Sequence, residues 1–173
     1  QQDLSKKEFS NCIFKKCDFS GCKFSGSTFI DCNFQNCNFS NIKINDCSFQ
    51  NVLFKNCKLV GVIFSTINTF LMDWKFKDCR IELCNFSELD MKNSEFFECV
   101  IRETDFINSN LAGSDFRNSD LQASKFQNTN LEKANLVGAK NYYIDPTQNK
   151  LKKAKFLQPE VLSLLAGFEI EIE

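Results

Sequence analysis

A large apolar residue recurs at every fifth position of this chain, and few folds accept that beat. The series runs Leu4, Phe9, Phe14 and onward at strict intervals of five to Phe64, slips once, and resumes from Leu71 to Leu136. It makes 27 units and takes up 16 of the 20 phenylalanines. A period of five matches neither the face of a helix nor the alternation of a strand. Tandem short units of this kind stack as a solenoid, whose outer surface is left for binding.

A second position fixes the register. Two residues before each large centre sits a small side chain, as at Cys12, Cys17, Ser27, Cys37, Thr104, Ser114 and Ala134; Ile42, Val52, Val62, Trp74 and Leu89 are exceptions. All ten cysteines fall in this slot. The remaining positions are mostly Asn, Asp, Lys, Ser, Gln or Gly, so each unit turns a corner with two residues inward and three outward. Cysteines twenty apart, such as Cys12 and Cys32 or Cys17, Cys37 and Cys57, should stack within disulfide range. The slot accepts Ser, Thr and Ala elsewhere, which favours free, buried thiols acting as small hydrophobes. With no His and no CxxC pair, no metal site is expected. Reduced thiols point to a cytoplasmic compartment. No signal peptide is visible and no apolar run reaches transmembrane length.

Units such as SDFRN, SDLQA, TNLEK and ANLVG, with CDFSG, CNFQN and CNFSN as a Cys-Phe variant, resemble the A(D/N)LXX units of the pentapeptide repeat family. The resemblance covers roughly residues 2 to 140. It implies an all-β fold: a right-handed quadrilateral parallel β-helix of four units per coil and about seven coils. It also implies a non-catalytic interaction protein. The quinolone-resistance branch of the family carries a sharper expectation, a rod that mimics duplex DNA, binds DNA gyrase or topoisomerase IV and modulates quinolone or toxin action. Among the branch's members the loopless type is the nearer analogy.

The domain organisation follows: a solenoid over 1–140, a capping crossover over 141–157 and a tail over 158–173. Between Phe64 and Leu71 the centres are seven apart. The insertion at 65–73 reads as a bulge, with Phe70 and Trp74 filling an enlarged corner, or as a short recognition loop. In the tail, Pro159, Glu160 and Gly167 bracket a short helix, and residues 168–173 alternate as a half-buried strand does. Val161, Leu162, Leu164, Leu165, Phe168 and Ile170 then form either a cap on the rod or the interface of a homodimer, which the resemblance favours.

Net charge is −1, so neither direct nucleic-acid nor membrane binding is expected. The charges are unevenly placed. Residues 1–60 carry net +3, residues 81–120 net −6 and residues 121–160 net +4. The acidic stretch holds Glu82, Glu88, Asp90, Glu95, Glu98, Glu103, Asp105, Asp115 and Asp120. Glu95 and Asp115 should stack as an unfavourable like-charge pair, and Glu82 and Arg102 as a compensating one. Together with outward Phe97, this belt is the candidate protein-interaction surface. No constellation of catalytic groups or cofactor motif is present, so an enzyme is not expected.

Overall fold

In the computed structural model, which describes residues 2–168, 170 and 171, the chain winds into a parallel four-sided solenoid. Among the described residues there are eleven short strands: β1 (Glu8–Ser10), β2 (Ile13–Lys15), β3 (Thr28–Ile30), β4 (Asn33–Gln35), β5 (Ser48–Gln50), β6 (Val52–Lys55), β7 (Lys58–Val60), β8 (Trp74–Lys77), β9 (Arg80–Glu82), β10 (Glu95–Phe97) and β11 (Val100–Arg102). They form three parallel sheets, ordered β1-β3-β5, β2-β4-β6-β8-β10 and β7-β9-β11. Strands meet the one a coil earlier at an offset of twenty, as in Phe14↔Phe34↔Phe54, and of 22 across the insertion, as in Phe54↔Phe76 and Leu59↔Ile81. The longest sheet spans five coils, fewer than the expected seven. Single parallel bridges continue the stacking to Asn135↔Lys155.

Corners explain the composition of the outward positions. The residue two after a centre takes the left-handed conformation, from Lys6, Asn11 and Lys16 through Gly61, Asn93 and Asn118 to Gly138, except at Thr66 beside the insertion. Asn, Asp and Gly tolerate that conformation best, which is why they recur there.

The core consists of columns of rings. Phe14, Phe34, Phe54, Phe76, Phe96 and Phe116 stack with centroids 4.8–5.2 Å apart and nearly parallel planes. Neighbouring columns meet edge to face, as Phe34 meets Phe39 and Phe86 meets Phe96. Both arrangements suit the aromatic quadrupole.

The slot proves to be more than small. Its side chain donates to the carbonyl of a centre one coil earlier: Cys47 Sγ to Phe24 O (2.8 Å), Ser119 Oγ to Phe96 O (2.6 Å), Thr129 Oγ1 to Phe106 O (2.8 Å). It also accepts from the chain below, since the Cys99 N–H donates to Ser119 Oγ at 2.9 Å. Buried backbone groups that the corners leave unpaired are thereby satisfied.

The insertion corrects one expectation. Trp74 is buried, and its indole N–H donates to Phe49 O at 3.1 Å, the bond a slot residue makes elsewhere. Phe70 and Leu71, however, are 66% and 64% exposed. Leu71 is not a core centre but a left-handed corner residue. The Trp74 ring, packed between Phe49 and Phe64, fills the space that a centre at 70 or 71 would have taken.

The two ends differ. In the first coil Leu4, Phe9, Phe14 and Phe19 are half-buried, with no earlier coil among the described residues to cover them. At the other end a 3₁₀ helix, Glu160–Phe168, lies against the last coil. Of the expected strand, Glu169, Ile172 and Glu173 lie outside the described residues, and the described Ile170 and Glu171 are irregular.

Candidate interaction surface

A single coil visits all four sides of the rod, so the acidic stretch is distributed around its circumference. Glu95 and Asp115 lie on the side built by β2-β4-β6-β8-β10, Asp120 on the side of β7-β9-β11, and Asp105 and Asp90 on the remaining two. Glu88, Glu98 and Glu103 occupy left-handed corners. Sequence spacing places these acids at one level of the rod but does not place them on one face.

Most of the acids are already partnered. Glu95 and Asp115 do stack, yet Lys77 and Lys75 reach Glu95 at 3.5 and 3.9 Å, and Arg117 grips Asp115 at 2.6 Å. The Arg117 guanidinium also lies 5.3 Å from the ring centroid of half-buried Phe97, a cation–π contact that covers the ring. Lys92 pairs with Asp90 and Lys125 with Asp105. Glu82 and Arg102 are register neighbours as expected, but their ionic contacts run elsewhere, Arg80 to Glu82 and Arg102 to Asp120. The like-charge cost inferred from the sequence is therefore compensated locally. Glu88, Glu98 and Glu103 are the belt acids without an ion pair among the described residues.

Asp120 is a structural member of the belt. It is buried, accepts from Arg102 at 2.6 Å and from the Asn141 side-chain amide at 2.7 Å. Burial alone would raise its pKa, but these hydrogen bonds outweigh it and hold the carboxyl below its usual value. At Asp115 burial likewise pushes upward, and the Arg117 side-chain and backbone bonds more than offset it.

Of the belt acids Glu88, Glu98 and Glu103, the last lies beside an exposed apolar group next to β9 and β11. Leu83, 58% exposed and left-handed, adjoins Glu103 on one corner, and Arg80, Arg102, Gln122 and Ala123 complete a shallow groove. Sequence reasoning missed Leu83; its corner register, where Asn or Gly would be cheaper, was the available signal.

At the C-terminal end the candidate interface divides. Leu164 packs against the core and Val161 is half-buried, while Leu162, Leu165 and Phe168 are exposed, as is Ile170 beyond the helix. Tyr142, near the helix, meets Phe156 in a tilted arrangement with ring centroids 5.8 Å apart. Burial raises its pKa, with a further contribution from Glu160.

Among the described residues no group of three or more His, Cys, Asp or Glu side chains could hold a metal, and no helix is long and apolar enough to cross a membrane.

Residues 7–83 and 69–158 match the sequence model of the pentapeptide repeat region. No curated protein sequence matches the chain. Among solved structures, a trypsin-treated variant of QnrB1, a plasmid-mediated fluoroquinolone resistance protein, superposes with a TM-score of 0.71 at 17% identity, covering 99% of this chain and 95% of that one. Full-length QnrB1 gives 0.60 at 18% identity, with 98% of each chain covered. At these identities the likeness establishes the fold.

Proposed function

The chain belongs to the pentapeptide repeat family, and from that premise we propose that it is a non-catalytic rod that pairs with a second copy of itself and presents its sides to a protein partner. The divided C-terminal helix carries the reading. One face, with Leu164, closes the rod; the other, with Leu162, Leu165 and Phe168, is left without cover. A cap alone requires only the first face. Charge supports the pairing: Lys150, Lys152, Lys153 and Lys155 precede the helix, and Glu169, Glu171 and Glu173 follow it, so a two-fold arrangement can bring opposite charges together.

For the partner, the groove at Leu83 and Glu103 with the neighbouring corner Glu98 is the best-suited surface, combining an exposed apolar group with acids not already paired. The test is capture on immobilised wild type and on a Glu98→Lys/Glu103→Lys variant, each from the same extract. A protein retained by wild type and lost by the variant supports the site; equal retention by both removes it.

Similarity to QnrB1 over the whole chain favours a second reading, in which a type II topoisomerase is the partner. Its test is a gyrase supercoiling titration with and without a fluoroquinolone. Inhibition or drug protection by wild type, weakened in the Glu98→Lys/Glu103→Lys variant, supports it, whereas no effect at tens of times the gyrase concentration rejects it. The pairing of Glu95 and Asp115 with bases makes those two poor choices for the variant.

A further inference from the structure

The slots hold two vertical ladders of thiols. One runs Cys17, Cys37, Cys57, Cys79, Cys99 and the other Cys12, Cys32, each step stacking directly on the last: Asn33 N donates to Cys12 O and Asn38 N to Cys17 O, both at 2.9 Å. Ladder steps are about 4.8 Å, inside the Cα range for a disulfide. All ten thiols are free, and eight are buried. Cys12 and Cys17, half-buried, are the two that solvent reaches.

These two also differ from the inner thiols of the two ladders, Cys32, Cys37, Cys57, Cys79 and Cys99, each of which has two acceptors. An inner thiol such as Cys37 bonds two carbonyls, Phe14 O one coil below and Gln35 O in its own unit. Among the described residues Cys12 bonds only Ser10 O, at 3.3 Å, and Cys17 only Lys15 O, at 3.5 Å, one acceptor each. Each therefore combines access, a loosely held thiol and a second thiol directly above it. The Cys12 thiol lies close enough to Cys32 to contribute to raising its pKa, after the larger effect of burial.

We propose that Cys12–Cys32 and Cys17–Cys37 are oxidation sites, at which a hydroperoxide produces disulfides that tie the first described coil to the second. The outer thiolate attacks the peroxide; the O–O bond breaks, the alcohol or water leaves, and a sulfenic acid forms. The thiol above attacks that sulfur, the S–O bond breaks and water departs with the thiol proton. Two thiols and one hydroperoxide yield one disulfide, one alcohol and one water. The ordinary disulfide separation at Cβ, about 3.5–4.5 Å, is shorter than a ladder step. The first described coil, hydrogen-bonded on one side only among the described residues, can tilt by the difference. Cys57, Cys79 and Cys99 are clamped between coils on both sides and buried, so they stay reduced.

The test is mild hydrogen peroxide on the reduced protein, thiol blocking, and non-reducing peptide mass spectrometry. Expected are peptides linking Cys12 to Cys32 and Cys17 to Cys37, each lighter by two hydrogens, and a melting midpoint above that of the reduced protein. In Cys32→Ser and Cys37→Ser variants with unchanged circular dichroism, the outer cysteine should instead be trapped as a sulfenic-acid adduct by a dimedone probe. Sulfinic acid at Cys12 and Cys17 without crosslinks, links among the inner cysteines, links between copies, or ten unmodified thiols would each overturn the proposal.

Discussion

The coils up to Cys99 and those from Thr104 onward solve the same problem with different chemistry. In the first group the slot is mostly Cys and the thiol bonds are long, 3.3–3.5 Å for Cys32, Cys37, Cys57 and Cys99, with Cys47 a shorter exception. In the second it is Ser or Thr, and the hydroxyls sit 2.6–3.1 Å from the same type of carbonyl. All eleven strands lie in the first group. In the second, corner after corner closes on itself, as Ser114 N donates to Leu111 O, Ser119 N to Phe116 O and Ser124 N to Leu121 O. That turn bond uses a group a regular strand would use, leaving single bridges. Centres change earlier, from nearly continuous Phe up to Phe54 to Phe alternating with Leu, Ile or Met beyond it. Stacked rings run through both halves; strand ladders are confined to the first, and short hydroxyl bonds prevail in the second.

The sharpest way to break this comparison is to remove a ring. Phe54 stacks on Phe34 and Phe76 and touches Phe39 edge-on. Phe54→Ala should cost about 3–5 kcal/mol in denaturant unfolding; an unchanged midpoint would refute the ring-column core. Next in size is the hydroxyl bridge. Ser119→Ala strands both the Cys99 N–H and a Phe96 carbonyl lone pair, at about 1–3 kcal/mol. The matching Cys57→Ala change should cost less, because the thiol bond is longer and weaker. Equal losses would erase the distinction between halves.

Acid sensitivity should be greatest in the second half, where the depressed carboxyls of Asp115 and Asp120 are partly shielded from solvent, unlike those of Asp3 and Asp18. The folded pKa of Asp120 is depressed below its ordinary 3.8, so its contribution is present above that value and is lost as pH falls through the folded pKa. Asp120→Asn should flatten stability against pH below about 4, with wild type and variant converging in acid; parallel curves would show that Asp120 is not linked to folding. The smallest effect is expected at Arg117, a half-exposed pair with Asp115. Arg117→Ala should shift stability by less than about 1 kcal/mol, and thermal melting at low and high salt would show a larger loss if the pair mattered more.

The sequence made the repeat legible because centre and slot are set by confinement. Phe34, Phe76 and Cys57 could occupy no other position in a five-residue unit. It misplaced Phe70 and Leu71 because an insertion offers two candidate centres to a period that tolerates only one, and Trp74 filled the gap from the neighbouring slot. The acidic belt was legible as composition but not as geometry. Ion pairs in this rod join residues two, eighteen or twenty apart: Asp115 with Arg117, Asp120 with Arg102, Asp105 with Lys125. Those offsets flank one centre or step one coil, so the neutralising partners were present in the sequence for a reader who already had the corner register. The Asn141–Asp120 bond, at an offset of 21, falls where the repeat has ended and no period predicts it.

Pairing of two rods is tested most directly by mass in solution. Light scattering on the intact chain should give twice the 19.9 kDa of one copy, and a Leu162→Glu/Leu165→Glu variant, altered only on the uncovered helix face, should give one copy with its circular dichroism unchanged. A monomeric wild type, or a variant that keeps the dimer mass, would contradict pairing through this helix.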